Sequence, residues 1–150
     1  MLLIHLLPFL HTALAVDRVK DPLKSSSVRD ALTNLDRYNA LSDTDFVYDY
    51  TTVTRTPFSP GSVLNANCAT WPILCAGEQS VAQLNLGPCA MLAPHVHPNA
   101  VNIVVSVSGT VKTYVRSENG ATDRTTMLTP GKMTVFPRGS MHSMTNEGEH

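Results

Sequence analysis

Gly131-Lys132-Met133-Thr134-Val135-Phe136-Pro137-Arg138-Gly139-Ser140-Met141-His142, with Asn146 shortly after, is the stretch on which the fold turns. Met133 to Phe136 is β-prone, Pro137-Arg138-Gly139 breaks it with turn residues, and His142 follows at a fixed distance from that turn. Upstream lies a second short segment, Gly87-Pro88-Cys89-Ala90-Met91-Leu92-Ala93-Pro94-His95-Val96-His97-Pro98. Imidazoles at i and i+2 of an extended chain point to the same side, because side chains alternate across a strand. His95 and His97 therefore form a pair, and His142 from a neighbouring strand would complete a facial set of nitrogen ligands. This pairing of distant segments is the strongest chemical signal in the chain.

Around these segments the sequence reads as short strands separated by turns. Ser80 to Leu86 alternates and stops at Gly87-Pro88, and Asn102 to Val107 ends at Ser108-Gly109. Val111 to Arg116 and Arg124 to Leu128 flank Asn119-Gly120, a hairpin-type turn, and Pro130-Gly131 leads into Met133. Phe46 to Val53 is also rich in aromatic and β-branched residues and predicts a strand, followed by a loop at Pro57, Pro60 and Gly61. Nearer the start, Ser27 to Leu35 predicts a short amphipathic helix with Val28, Ala31, Leu32 and Leu35 on one side. Regularly spaced strands with no long helix predict an all-β antiparallel sandwich or barrel.

The chain has 150 residues, a size usual for one domain, and a formal net charge of -1. That balance supplies no electrostatic footprint for nucleic acid or an anionic membrane. Met1-Leu2-Leu3-Ile4-His5-Leu6-Leu7-Pro8-Phe9-Leu10 is apolar, and Ala13-Leu14-Ala15 suits signal peptidase, although no Lys or Arg precedes the run. The run is short for a membrane span and Pro8 interrupts it, which favours a secretory signal over residues 1–15 against the alternative of a buried N-terminal helix. A polar arm over 16–45 and a β domain over 46–150 would follow, in a secreted, extracellular protein.

Three cysteines make an odd set. In an oxidising compartment Cys68 and Cys75 could close a small loop around Trp71 and Pro72, stabilising by about 2–3 kcal/mol. Cys89 would then be a buried thiol or an intermolecular partner. In a reducing compartment all three would remain buried thiols.

The two histidine segments resemble the paired motifs of the cupin superfamily, and of its secreted germin-like and spherulin-like group in particular. In that group the second motif reads G-x5-P-x-G-x2-H-x3-N, matched here by Gly131, Pro137, Gly139, His142 and Asn146. The first reads G-x5-H-x-H-x3,4-E-x6-G. His95, His97 and Gly109 fit it, while the spacing from Gly87 to His95 is longer by two. The resemblance implies a cupin-type antiparallel jelly-roll barrel holding manganese through three histidines and one glutamate. Carried over by position, the histidines are His95, His97 and His142, and the glutamate position is occupied by Asn102.

That substitution alters the expected chemistry. An asparagine oxygen can still offer a lone pair but brings no charge, and hard cations such as manganese favour carboxylate oxygen. A neutral three-histidine set suits zinc or copper at least as well. Asn146 fits a turn or supporting role better than a ligand role. No Ser-His-Asp set, phosphate-cradling loop or nucleophile elbow is present, so no catalytic residue is assigned apart from the metal pocket.

Functional expectations follow from the resemblance. Germin-like relatives with oxalate oxidase or superoxide dismutase activity use the metal, so an oxidoreductase acting on a small carboxylate or on superoxide is one reading. A non-catalytic storage, wall-associated or stress-linked binding protein with a degenerate site is the second. A small-ligand barrel of the sugar-isomerase type, working without metal, is the third. The chain ends four residues past Asn146, where related barrels continue with strands and helices that support oligomers. Either a C-terminally truncated barrel or one whose sheet another chain completes is expected, the first being favoured, with weakened homo-oligomer assembly and no returning strand of its own beside the segment bearing His142.

Overall fold

A computed structural model describes residues 18–148. The proposed signal segment, with its Ala13-Leu14-Ala15 site, lies outside the described residues. Among the described residues no helix is long and apolar enough to cross a membrane. The chain divides into two compact units, one formed by the residues up to Thr54 with Asn65–Ala82, the other by Arg55–Leu64 with the residues from Gln83 onward.

The first unit is organised by local hydrogen bonds. Helix α1 (Pro22–Asp30) starts with proline in its first turn, where no backbone donor is lost, and Asp21 accepts the Lys24 N–H. The single helix expected over Ser27 to Leu35 is broken. Thr33 accepts the Asp36 N–H and starts a second helix, α2 (Asn34–Asn39), while the Arg37 guanidinium donates to the carbonyls of Val28 and Ala31 at the end of α1. Val28 is fully buried, whereas Leu32 is 99% exposed and Leu35 is exposed.

The strand expected over Phe46 to Val53 does not form either. Two 3-10 turns, Asp43–Phe46 and Tyr50–Thr52, stand there instead. The Asp45 carboxylate accepts from the N–H and hydroxyl of Ser42, and that of Asp49 accepts from both groups of Thr51. Such short-range bonds compete with a ladder and override β propensity. Lys24 reaches Asp45 at 2.8 Å, the Trp71 indole donates to the Asp45 carbonyl, and Cys68 is disulfide-bonded to Cys75. Cys89, in the other unit, is free and exposed rather than buried.

The strand unit carries the antiparallel fold. The loop expected at Pro57 to Gly61 is a hairpin of β1 (Thr56–Phe58) and β2 (Gly61–Ala66), joined by β3 (Val81–Leu86) in the order β1-β2-β3. Pro57 is tolerated because β1 lies on the edge. Strands β4 (Met91–His95), β6 (Val111–Arg116), β7 (Arg124–Leu128) and β9 (Met141–Asn146) form a sheet ordered β4-β9-β6-β7. Strand β5 (Asn102–Val105) pairs with β8 (Met133–Phe136).

The strand bearing His142 was expected to lack a neighbour, and the structure overturns this. β9 is an interior strand, paired with β4 on one side and with β6 on the other. The partners come from earlier in the chain, so no later strand is needed to satisfy its ladder. Alternation across β5 and β8 turns Ile103, Val105, Met133 and Val135 outward, where each is exposed, while Phe136 on the other face is fully buried. Leu64, Ala90, Leu128, Phe136 and Met144 are the buried apolar side chains of this unit.

Candidate metal centre

Each histidine of the sequence pair and its distant partner is positioned by a different device. His95 is the last residue of β4 and lies directly opposite His142 on β9, just past a register shift between Leu92 and His95. Pro94 precedes it, which an edge strand tolerates. His97 stands two residues beyond the strand end, and its carbonyl accepts the Gly139 N–H at 3.0 Å. That bond ties the first histidine segment to the turn that launches β9. In the turn, Ser140 donates to the Pro137 carbonyl from both its N–H and its hydroxyl, and Gly139 adopts φ +74°, a conformation that favours glycine.

His142 is the best fixed of the three. It is 2% exposed, and the fully buried ring of Phe136 stacks on it with centroids 4.2 Å apart and 17° between planes. Phe136 pairs across the ladder with Asn102, so β5 and β8 deliver both the stacking ring and the amide to the same side. The His142 Nδ1 lies 2.9 Å from the Ser140 carbonyl, and the His95 Nδ1 lies 2.8 Å from the Ala93 carbonyl. A carbonyl only accepts, so each Nδ1 carries the proton and each Nε2 keeps its lone pair. Burial, joined by the nearby His95 and His97, pushes the His142 imidazole below its ordinary value of 6.5, while the Ser140 carbonyl acts the other way. The neutral ring is the form that binds metal.

One ligand nitrogen from each of His95, His97 and His142 lies within 4.8 Å of the other two. Two metal–nitrogen bonds of about 2.1 Å span up to about 4.2 Å, so a modest side-chain rotation brings all three onto one ion. The donor set is neutral: three imidazoles with the Asn102 amide at 3.4 Å from the His142 Nε2. It suits a borderline divalent cation, and none of these four groups carries a charge to offset the ion's.

The structure brings together all four residues singled out in the sequence, and it places Asn146 elsewhere. The Asn146 side chain donates to the carbonyls of Leu86 and Gly87, and its backbone N–H donates to that of Ala90. It holds the turn before β4 in place, where a Cβ on Gly87 would come within 2.8 Å of Pro60. Phe136 was missed as a supporting residue. Its place in a β-prone run before the Pro137 turn suggested only a strand, and nothing in that pattern specifies stacking.

Comparison with known proteins agrees with this geometry. The family described as Cupin matches residues 57–150. A germin-like protein subfamily 3 member of Arabidopsis thaliana is 31% identical over 112 residues, covering 71% of this chain and 51% of that protein. Spherulin-1B of Physarum polycephalum is 28% identical over 114 residues, covering 75% and 46% respectively. A recombinant oxalate oxidase in complex with glycolate superposes with a TM-score of 0.64 at 22% identity, over 71% of this chain and 55% of that one. The chain belongs to the cupin family. Within it, the chain is similar to germin-like proteins and to a spherulin, and it spans about half the length of the curated relatives it matches.

Proposed function

We propose that the protein is a secreted metal-binding cupin whose pocket takes one divalent cation on His95, His97 and His142, with Asn102 beside it. The observation that carries this reading is the convergence of three imidazole nitrogens within 4.8 Å, two of them on the paired strands β4 and β9 and the third, from His97, two residues beyond the end of β4. Manganese is the ion that the resemblance favours. The neutral donor set argues that zinc or copper competes well for the same place. A bound ion would supply Lewis-acid or redox chemistry to a small carboxylate such as the glycolate held by the oxalate oxidase of similar fold. The chain's own part is to hold the His95 and His142 rings by backbone carbonyls, to stack Phe136 on His142, and to keep His142 buried and neutral.

Oxidoreductase activity of the oxalate oxidase or superoxide dismutase type is the active form of this reading. The second form is a non-catalytic extracellular binding protein, favoured by one observation: an uncharged amide stands where the family pattern has a carboxylate. Elemental analysis of protein purified without an affinity tag tests the metal. About one ion per chain, lost in His97→Ala, is the expected result, and no ion in either protein would remove the proposal. Oxalate or superoxide turnover that vanishes in His95→Ala would then select the enzyme over the binding protein.

A further inference from the structure

The lone pair that an ion would need on His142 already has a partner. The Ser140 carbonyl holds the proton on Nδ1, which leaves Nε2 as an acceptor, and Asn102 Nδ2 lies 3.4 Å from that atom. An amide nitrogen only donates, so the contact runs from Asn102 to His142. Among the described residues, no buried side-chain nitrogen or oxygen lacks a hydrogen-bond partner, and for the His142 Nε2 that partner is the Asn102 amide. A glutamate at this position would carry no donor at neutral pH, leaving Nε2 free and drawing a cation.

We infer that Asn102 is an internal competitor for metal: its carboxamide occupies the Nε2 lone pair of His142 and must turn away before one ion can be held by all three histidines. The inference rests on the metal-pocket reading above and deepens it, because it assigns Asn102 a role opposite to that of a fourth ligand. Asn102 then sets the threshold at which the pocket loads. The contact is long for a hydrogen bond, so the competition is modest in size.

Cobalt titration of wild type and Asn102→Ala at neutral pH, followed by ligand-field absorption, tests the inference. Removing the donor should tighten cobalt binding by about three- to tenfold, the range of one ordinary hydrogen bond. In wild type, nitrogen NMR should show the Asn102 amide protons coupled to His142 Nε2, with the coupling lost when zinc is added. Equal or weaker cobalt binding by Asn102→Ala overturns the inference and leaves the metal pocket standing. Absence of binding in both proteins overturns the two together. Should Asn102→Ala not fold, the wild-type spectrum decides, since uncoupled Asn102 amide protons in the metal-free protein overturn the competitor role.

Discussion

The histidine pocket and the N-terminal unit both mix short- and long-range hydrogen bonds, yet the bonds that set their shape differ. Caps and tight turns shape the helices and 3-10 turns of the N-terminal unit, while contacts between distant segments assemble the pocket. In the N-terminal unit Asp21, Thr33 and Asp49 bond within three residues, and Ser42 bonds Asp45. In the pocket, Asn102 faces His142, and the His97 carbonyl meets Gly139. Short-range bonds choose local conformation, and the first unit is a set of caps and tight turns. Long-range bonds choose which strands meet, and the pocket exists only where that choice is complete.

The sharpest way to break the comparison is to remove the buried histidine. His142→Ala should abolish detectable metal binding, a loss of at least about a hundredfold, as seen by calorimetric titration. Retained binding would mean that the cross-strand partner is dispensable. Next in size is Phe136→Ala, which removes a fully buried ring and should cost about 3–5 kcal/mol in denaturant unfolding. It should also weaken metal binding by loosening the His142 ring; a variant that loses stability alone would reduce Phe136 to core filling.

Reduction of the Cys68–Cys75 bond, or the Cys68→Ser/Cys75→Ser pair, should cost about 2–3 kcal/mol, read as faster amide exchange in α1 and in the 3-10 turn Pro72–Ala76. Acid separates the two regions by where they fail. Protons compete with metal for His142, whose imidazole is held below its ordinary 6.5, so affinity should fall in titrations carried below that pH. The Asp45 carboxyl is held at about 2, chiefly by Lys24 and then by Ser42, against an ordinary 3.8. Its folded value lies below the unfolded one, so its contribution is complete above pH 3.8 and disappears as pH falls toward 2. Asp45→Asn should lose that contribution at neutral pH and with it the acid limb, so that variant and wild type converge in stability as pH falls toward 2. Simultaneous loss of metal affinity and of the Asp45 contribution would contradict the assignment of separate groups.

Legibility in the sequence follows the same division. Period-two runs such as Val111 to Arg116 and Met133 to Phe136 became strands with the expected limits, because their side chains are sorted between two faces. The histidine spacing singled out the three rings that cluster, since the motif fixes residues on either side of a turn. Phe46 to Val53 misled because composition weighs side-chain type and ignores whether an aspartate sits where it can bond the next backbone N–H. Pro57 suggested a loop, as proline is compatible with strand only at an edge, and edge position is a property of the assembled sheet. The interior place of β9 was hidden for a related reason: its ladder partners, β4 and β6, both precede it.

The pairing of His95 with His142 across the β4–β9 ladder has a consequence for folding fidelity. Side chains on a strand change face with every residue, so a slip of one position would send His142 to the opposite side and leave an ion with two nitrogens at most. An ion at a hundred times its dissociation constant stabilises the state that binds it by about 2.7 kcal/mol, and it does so for the native register alone. Metal would thus act as a proof-reader of strand alignment, rewarding one pairing among its near neighbours before any chemistry at the pocket begins.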